Sequence, residues 1–500
     1  MASTVNFQRC NYLPSRSTPY VFASERAELV HINQQISSLD DHISQLNALR
    51  NTLHLRLYQL QNLLSPVHAL PVEVLSSIFK QVIGSIGFSF LGPDPYRLCL
   101  RQALVLSSVT THFRYVAFST PELWKKIPLA LHRTGPEATG KASALLQHCT
   151  ALASNVDVSI SDKLKLKRPV RSAIGVLLTP DTVRKIKAFR LYSSHAPKLW
   201  IDKLKASSFP MLDTLTLDCQ PWKNVALDLG TLNNVTRLVI QNAAGSTVSS
   251  FIIPLSIRHL EIIDVPQQFF VSLLYHCPNL VECISTINYR YLLDGTKFAK
   301  PLTLNHLKRL TLDVMILLET GSSAQHFHLP SLEYLHFRRI SGDQLPGVVS
   351  LCRNVSATLT TLKIHPISET LEYDDLCQLC RLPFPKLREL EFCPSRSGLR
   401  SSLLNVVRAL TPPDVESDTS RSQMFPSLRY LYLGSSFHME PHFLVDMLKK
   451  WRVGETSYFH LNVSYSWDAD ETWSPELREE LRRAIHDRQI EVTWNRMKLL

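Results

Sequence analysis

Cys377-x-x-Cys380 and His326-x-His328 are the pairs in this 500-residue chain whose spacing suits a metal ion. A zinc site needs four ligands, usually two such pairs at a set distance. The cysteine pair has no second pair to work with, and it lies in Asp375-Leu-Cys-Gln-Leu-Cys380, an amphipathic helical pattern that core packing explains. The histidine pair lacks companions and stands just before an apolar run. Neither Gly-x-x-x-x-Gly-Lys-Ser/Thr nor Gly-x-Gly-x-x-Gly occurs, so no loop is built to cradle phosphate. His-Glu-x-x-His and Gly-x-Ser-x-Gly are missing too. The sequence therefore predicts a non-enzyme with no catalytic residue, no metal and no cofactor. One chemical asymmetry stands out. Between Asp162 and Lys205 there are twelve basic and three acidic residues, most of the chain's net charge of +11. Such a stretch is either a solvated face or a contact for phosphates or nucleic acid, with Phe189, Tyr192 and Trp200 as stacking candidates.

The elements that would position any partner are easier to read. Hydrophobic residues make up 45% of the chain and charged ones 19%, enough apolar surface for a large core in two to four units. No apolar run reaches the roughly 18 residues of a membrane span. The first ten residues show no secretory pattern, so the ten scattered cysteines are expected reduced, in the cytoplasm or nucleus. Residues 1–24 read as a disordered tail. From Leu29, apolar residues recur at alternating steps of three and four through Ile32, Ile36, Leu39, Ile43, Leu46, Leu53, Leu57, Leu60 and Leu64, with Arg50 in one core slot. A heptad over five repeats predicts a coiled-coil helix at 25–64, capped by Ser24 and closed by Ser65-Pro66. Its partner is a second copy or another chain.

Three blocks follow. Leu70-Pro71-x-Glu73-x-Leu75-x-x-Ile78-Phe79 predicts a short helix with Pro71 in its first position, exposing one apolar face of Leu75, Ile78, Phe79 and Val82. A second helix carries Leu104, Val105, Val109, Phe113 and Val116 on one side. Pro121-Glu-Leu-Trp124 ends the unit. These blocks, with Thr110 and Phe113 preceding Arg114 in the second, resemble the F-box, and the resemblance covers about residues 65–130. It implies docking to the Skp-type adaptor and cullin of an SCF ubiquitin ligase, with adaptor contacts on Leu70, Pro71, Val74, Leu75, Ile78, Phe79 and Trp124. A module this small cannot hide so many apolar groups, which independently points to a protein interface.

Beyond residue 180, apolar-x-x-apolar-x-apolar recurs, from Ile186-x-x-Phe189-x-Leu191 to Leu428-x-x-Leu431-x-Leu433. Successive copies lie 22 to 28 residues apart, save one step of 41 across the polar segment 411–423. A degraded copy starts at Leu280. This is the spacing of leucine-rich repeats, and it predicts an α/β solenoid of parallel strands and helices over 131–500. Proline two residues before the first slot, as at Pro210 and Pro330, is expected to mark where each strand begins. The usual asparagine that follows the third slot is replaced by Gln220, Ala243, Val265, Met315 and Ile340. Further strands are expected at 156–160, 459–463 and 490–494, with a helix at 475–488 closing the array. Coiled coil, F-box and irregular repeats together resemble fungal-type F-box/leucine-rich-repeat proteins, which implies a substrate-recognition role. Other readings of the same features are a coiled-coil and repeat scaffold without a ligase role, and a nucleic-acid binder through 162–205. Because strand side chains alternate, residues between the leucines should share the concave face: Arg309, Thr311, Tyr334, His336, Arg338, Lys363, His365, Tyr430 and Tyr432. They form the expected surface for a protein substrate.

Overall fold

The computed structural model describes residues 19–63, 66–85, 95–130, 136–162, 177–193, 197–206, 209–218, 223–242, 247–286, 301–313, 327–340, 344–366, 373–393, 400–411, 425–434, 441–450, 459–464, 474–486, 490–494 and 497–498. It is an α/β protein. Residues 412–423 of the expected polar segment and 163–176 of the basic stretch 162–205 lie outside the described residues, as do Leu64, Gln220, Met315 and His326.

One sheet organises the larger part of the chain. Its fifteen described strands run from Lys126–Ala130 to Met497–Lys498 and are hydrogen-bonded in strict chain order apart from two small side pairs. Every neighbouring pair is parallel except the last. Parallel neighbours require a crossover each time, and helices such as Gln267–Tyr275, Leu345–Val355, Tyr373–Cys380 and Pro441–Lys450 supply several of them. A parallel sheet whose order follows the chain is compatible with a solenoid.

The repeat pattern has a concrete structural meaning. In each copy from Leu212 onward the second and third apolar slots lie in register on one face of the sheet. Leu310, Leu335, Leu362, Leu390 and Leu431 form one row, and Leu312, Phe337, Ile364, Phe392 and Leu433 the next. All are at most 3% exposed, so each strand completes its core only against the next. The degraded copy fits the same register, with Cys283 and Ser285 fully buried in the two rows. From Leu212 onward the first slot is not in a strand. Leu212, Leu280, Leu332, Leu387 and Leu428 each donate their backbone N–H to the carbonyl three residues earlier, closing a tight turn. The prolines occupy the second position of those turns, where their fixed φ is favourable; they do not open the strands as expected. The strands begin two residues after the first slot.

Two copies keep a polar residue near the usual asparagine position. Asn242 and Asp264, one place earlier than Ala243 and Val265, adopt left-handed φ of 57° and 55°. Asn and Asp tolerate that region better than other side-chain-bearing residues. Their N–H groups bond the carbonyls of Ile263 and Thr286, and Asn242 Nδ2 donates to Asp218 at 3.0 Å. A short polar ladder therefore exists at the strand ends.

The N-terminal part is helical. A single 45-residue helix spans Pro19–Leu63, so residues 19–24, expected in the tail, are helical and Ser24 lies inside the helix without capping it. Pro66–Ala69, Val72–Gly84, Pro95–Val109, Thr111–Phe118 and Pro121–Trp124 follow. Pro71 is the N-cap and Val72 the first helical residue. The expected second helix is two helices, broken at Thr110, whose side chain caps Thr111–Phe118 by accepting from the Phe113 N–H at 3.1 Å. The expected later strands and the closing helix form Val156–Asp162, Phe459–Ser464, Ile490–Trp494 and Pro475–His486. Among the described residues no helix is long and apolar enough to cross a membrane.

Candidate functional site

Two surfaces gather the residues singled out in the sequence. The first is on the small helical unit. Helix Val72–Gly84 carries two apolar stripes at four-residue spacing. Leu75, Phe79 and Ile83 are buried, and Phe79 meets the Phe113 ring edge-on at 5.2 Å. Val74, Ile78 and Val82, one residue before each, are 40–42% exposed. On the neighbouring helix Leu104, Val105 and Val109 are about half exposed and point outward, whereas Cys99, Leu100 and Ala103 pack inward.

The seven expected adaptor contacts therefore divide. Pro71, Val74 and Ile78 are exposed and Leu70 is half-buried. Leu75, Phe79 and Trp124 are each 1% exposed and present no surface to a partner in this conformation. Trp124 is a structural anchor. Its indole N–H donates to the Ala117 carbonyl at 2.8 Å, and its ring lies 5.4 Å from Phe118 and 6.2 Å from His148. It thereby joins the helical unit to the helix Pro136–Leu152 that leads into the sheet.

The second surface is the sheet face opposite the leucine rows. Register places Arg309, Tyr334, Thr361, Glu389, Tyr430 and His460 in one row, and Thr311, His336, Lys363, Glu391, Tyr432 and Asn462 in the next. All the expected substrate-face residues lie on this face. The Arg309 guanidinium sits over the Tyr334 ring at 4.5 Å and is paired with Glu282 at 3.3 Å. Tyr430 accepts from Asn462 Nδ2 at 3.3 Å and packs edge-on against His460. Arg338 reaches Thr286 at 3.3 Å.

Glu391, which the sequence reading passed over, is the centre of the charged part. It takes Lys363 at 2.6 Å and His365 at 3.1 Å. The hydrogen bond from His365, joined by Lys363, outweighs burial and holds its carboxyl down at about 2. The same pairing raises Lys363 against the downward pull of its own burial. His336, only 9% exposed, sits 3.4 Å from His365. Burial, helped by the charges of His365 and Arg338, drives it down to about 3, so it is neutral at physiological pH. Glu391 lies between Leu390 and Phe392, where Lys363 lies in the preceding copy, so the alternation rule alone would have found it. Glu282 and His460 carried the same signal.

Chemically the face offers aromatic rings, the Arg309–Tyr334 cation–π pair and charges paired with their neighbours. Among the described residues no group of histidines, cysteines and carboxylates is placed to hold a metal ion. Cys380 is buried with its thiol pushed up by desolvation, and Cys377 lines the same short helix. His328 is exposed on a two-residue strand. Two of the three aromatic candidates in the basic segment offer no stacking face. Phe189 and Trp200 are buried against each other at 6.3 Å, and Tyr192 lies beside Arg190. Lys185 is committed to the Thr150 carbonyl and Lys205 to Asp228.

No family model matches the chain, and no curated protein matches it.

Proposed function

We propose that this chain is the substrate-recognition subunit of an SCF-type ubiquitin ligase, with an F-box at 65–130, leucine-rich-repeat-like units over 131–500 and a coiled-coil strand at the N-terminus. The observation that carries the reading is the exposure of the stripe Val74, Ile78 and Val82 on one helix and of Leu104, Val105 and Val109 on a helix packed against it, in a unit whose blocks resemble the F-box. Solvated apolar side chains this dense on so small a unit favour a protein partner. A Skp-type adaptor fits that stripe, and Pro71 and Leu70 lie at its N-terminal end. The sheet face centred on Tyr334, Glu391 and Tyr430 supports the other half of the role, holding a protein target while associated subunits carry out ubiquitin transfer. Positioning, not bond chemistry, is what such a chain contributes.

The test is adaptor co-purification. Replacing Leu70 and Pro71 together by alanine should abolish capture of a Skp-type adaptor while the sheet keeps its thermal transition. Unchanged capture removes the ligase reading. Replacing Tyr334, Arg338 and Tyr432 by alanine should spare adaptor capture and lose the targets retrieved by the parent chain. Retrieval of the same targets by the triple variant would move the substrate surface elsewhere.

A further inference from the structure

We infer that two copies of this chain pair through the helix Pro19–Leu63 in antiparallel orientation. The inference rests on reading that helix as a coiled-coil strand, and it commits to a second copy as the occupant of the seam. Every core residue of the seam from Leu29 to Leu60 with a described side chain is exposed, the apolar ones by 42–64%. Five heptads of open seam on a rod about 66 Å long exceed what a solitary helix holds in water.

Charge selects the partner and its direction. Residues 25–41 carry four carboxylates and one arginine, whereas 42–63 carry Arg50 and Arg56 and no acid. A second copy running the opposite way sets each acidic half against a basic half. It also aligns the two helix dipoles favourably. With Leu29 opposite Leu60 and Ile43 opposite Leu46, Arg50 faces Leu39 of the second copy beside its Asp40. The pairing occurs twice by symmetry. Parallel pairing would instead stack Arg50 on Arg50 in a core layer and leave the acidic halves side by side. The antiparallel arrangement carries the two F-box-like units to opposite ends of the rod.

The test uses the purified full-length chain. Sedimentation should show a dimer. A photo-crosslinking benzoylphenylalanine at Gln35 should join residues 54–57. Those positions are about 30 Å away along one straight helix, so that link has to form between copies. Asp40→Arg and Arg50→Asp should each weaken the dimer roughly tenfold, and the double exchange should restore it. A monomer, links confined to residues near 35–42, or a double exchange no stronger than the singles would overturn the proposal. Adaptor capture is measured separately on the same samples. A monomer that still captures adaptor defeats the pairing and leaves the ligase reading standing.

Discussion

Trp124→Ala should cost about 3–5 kcal/mol of stability, the range for emptying a large buried aromatic site. Set against the 5–15 kcal/mol that typically holds a domain together, that is a severe loss. The ring is 1% exposed, packs between Phe118 and His148, and satisfies the Ala117 carbonyl through its indole N–H. Alanine removes the contacts with both rings and opens a cavity where the helical unit meets Pro136–Leu152. Trp124→Phe keeps much of the volume and loses the hydrogen bond, so it should cost about 1–2 kcal/mol. Urea unfolding of the two variants and the parent checks both values. The resemblance to the F-box implied that Trp124 contacts the adaptor directly. A surface contact would give the opposite signature: weakened adaptor capture with an unmoved unfolding midpoint. The buried placement predicts that any loss of capture tracks loss of folded protein.

What was legible in the chain follows from how local each signal is. Heptad spacing and the Leu-x-x-Leu-x-Leu copies are written within a few residues, and both the long helix and the in-register leucine rows emerged where that spacing put them. The inward face of Val72–Gly84 was not legible. Leu75, Ile78, Phe79 and Val82 make one apolar arc, but Val74 and Ile83 are apolar too, so helical periodicity leaves two overlapping stripes and only tertiary packing selects one. Leu75, Phe79 and Ile83 won because Phe113, Val116 and Trp124 lie on that side. The break at Thr110 carried a local signal, a threonine able to cap the Phe113 N–H, hidden inside a continuous apolar pattern. Turn prolines were mistaken for strand starts because a turn with proline second and a strand opening share the same restricted φ. The partnership of Glu391 with Lys363 and His365 was invisible for another reason. It joins side chains about 26 residues apart, and only parallel register makes them neighbours.

That partnership gives the second large effect. Glu391→Gln should destabilise the sheet by about 2–3 kcal/mol at pH 7. It leaves Lys363, 29% exposed, without its counter-charge beside Arg338, and takes the carboxylate hydrogen-bond partner from His365. Breaking a fully buried pair costs about 3–5 kcal/mol, and partial exposure reduces that. The same residues set the response to acid. Glu391 binds its proton only near 2 in the fold, against an ordinary 4.5 in the unfolded chain. Its stabilising contribution is therefore complete above pH 4.5 and is lost as pH falls from there towards 2. His336 stays neutral down to about 3 in the fold, whereas the unfolded imidazole takes up a proton below 6.5. Its contribution is present above pH 6.5 and drains away as pH drops towards 3. At these two groups the unfolded chain binds more protons than the folded one throughout this window, so their contribution to the parent is lost to acid in two overlapping stages. Glu391→Gln should remove the lower stage and leave the upper one. His336→Gln should flatten the stretch between pH 6.5 and 4.5 and leave the Glu391 stage intact. Urea midpoints in half-unit steps from pH 7 down to pH 2.5 for parent and both variants measure the difference, with carboxylates elsewhere cancelling between curves. Coincident pH profiles for all three proteins would mean that neither Glu391 nor His336 is held in the protonation state this face imposes.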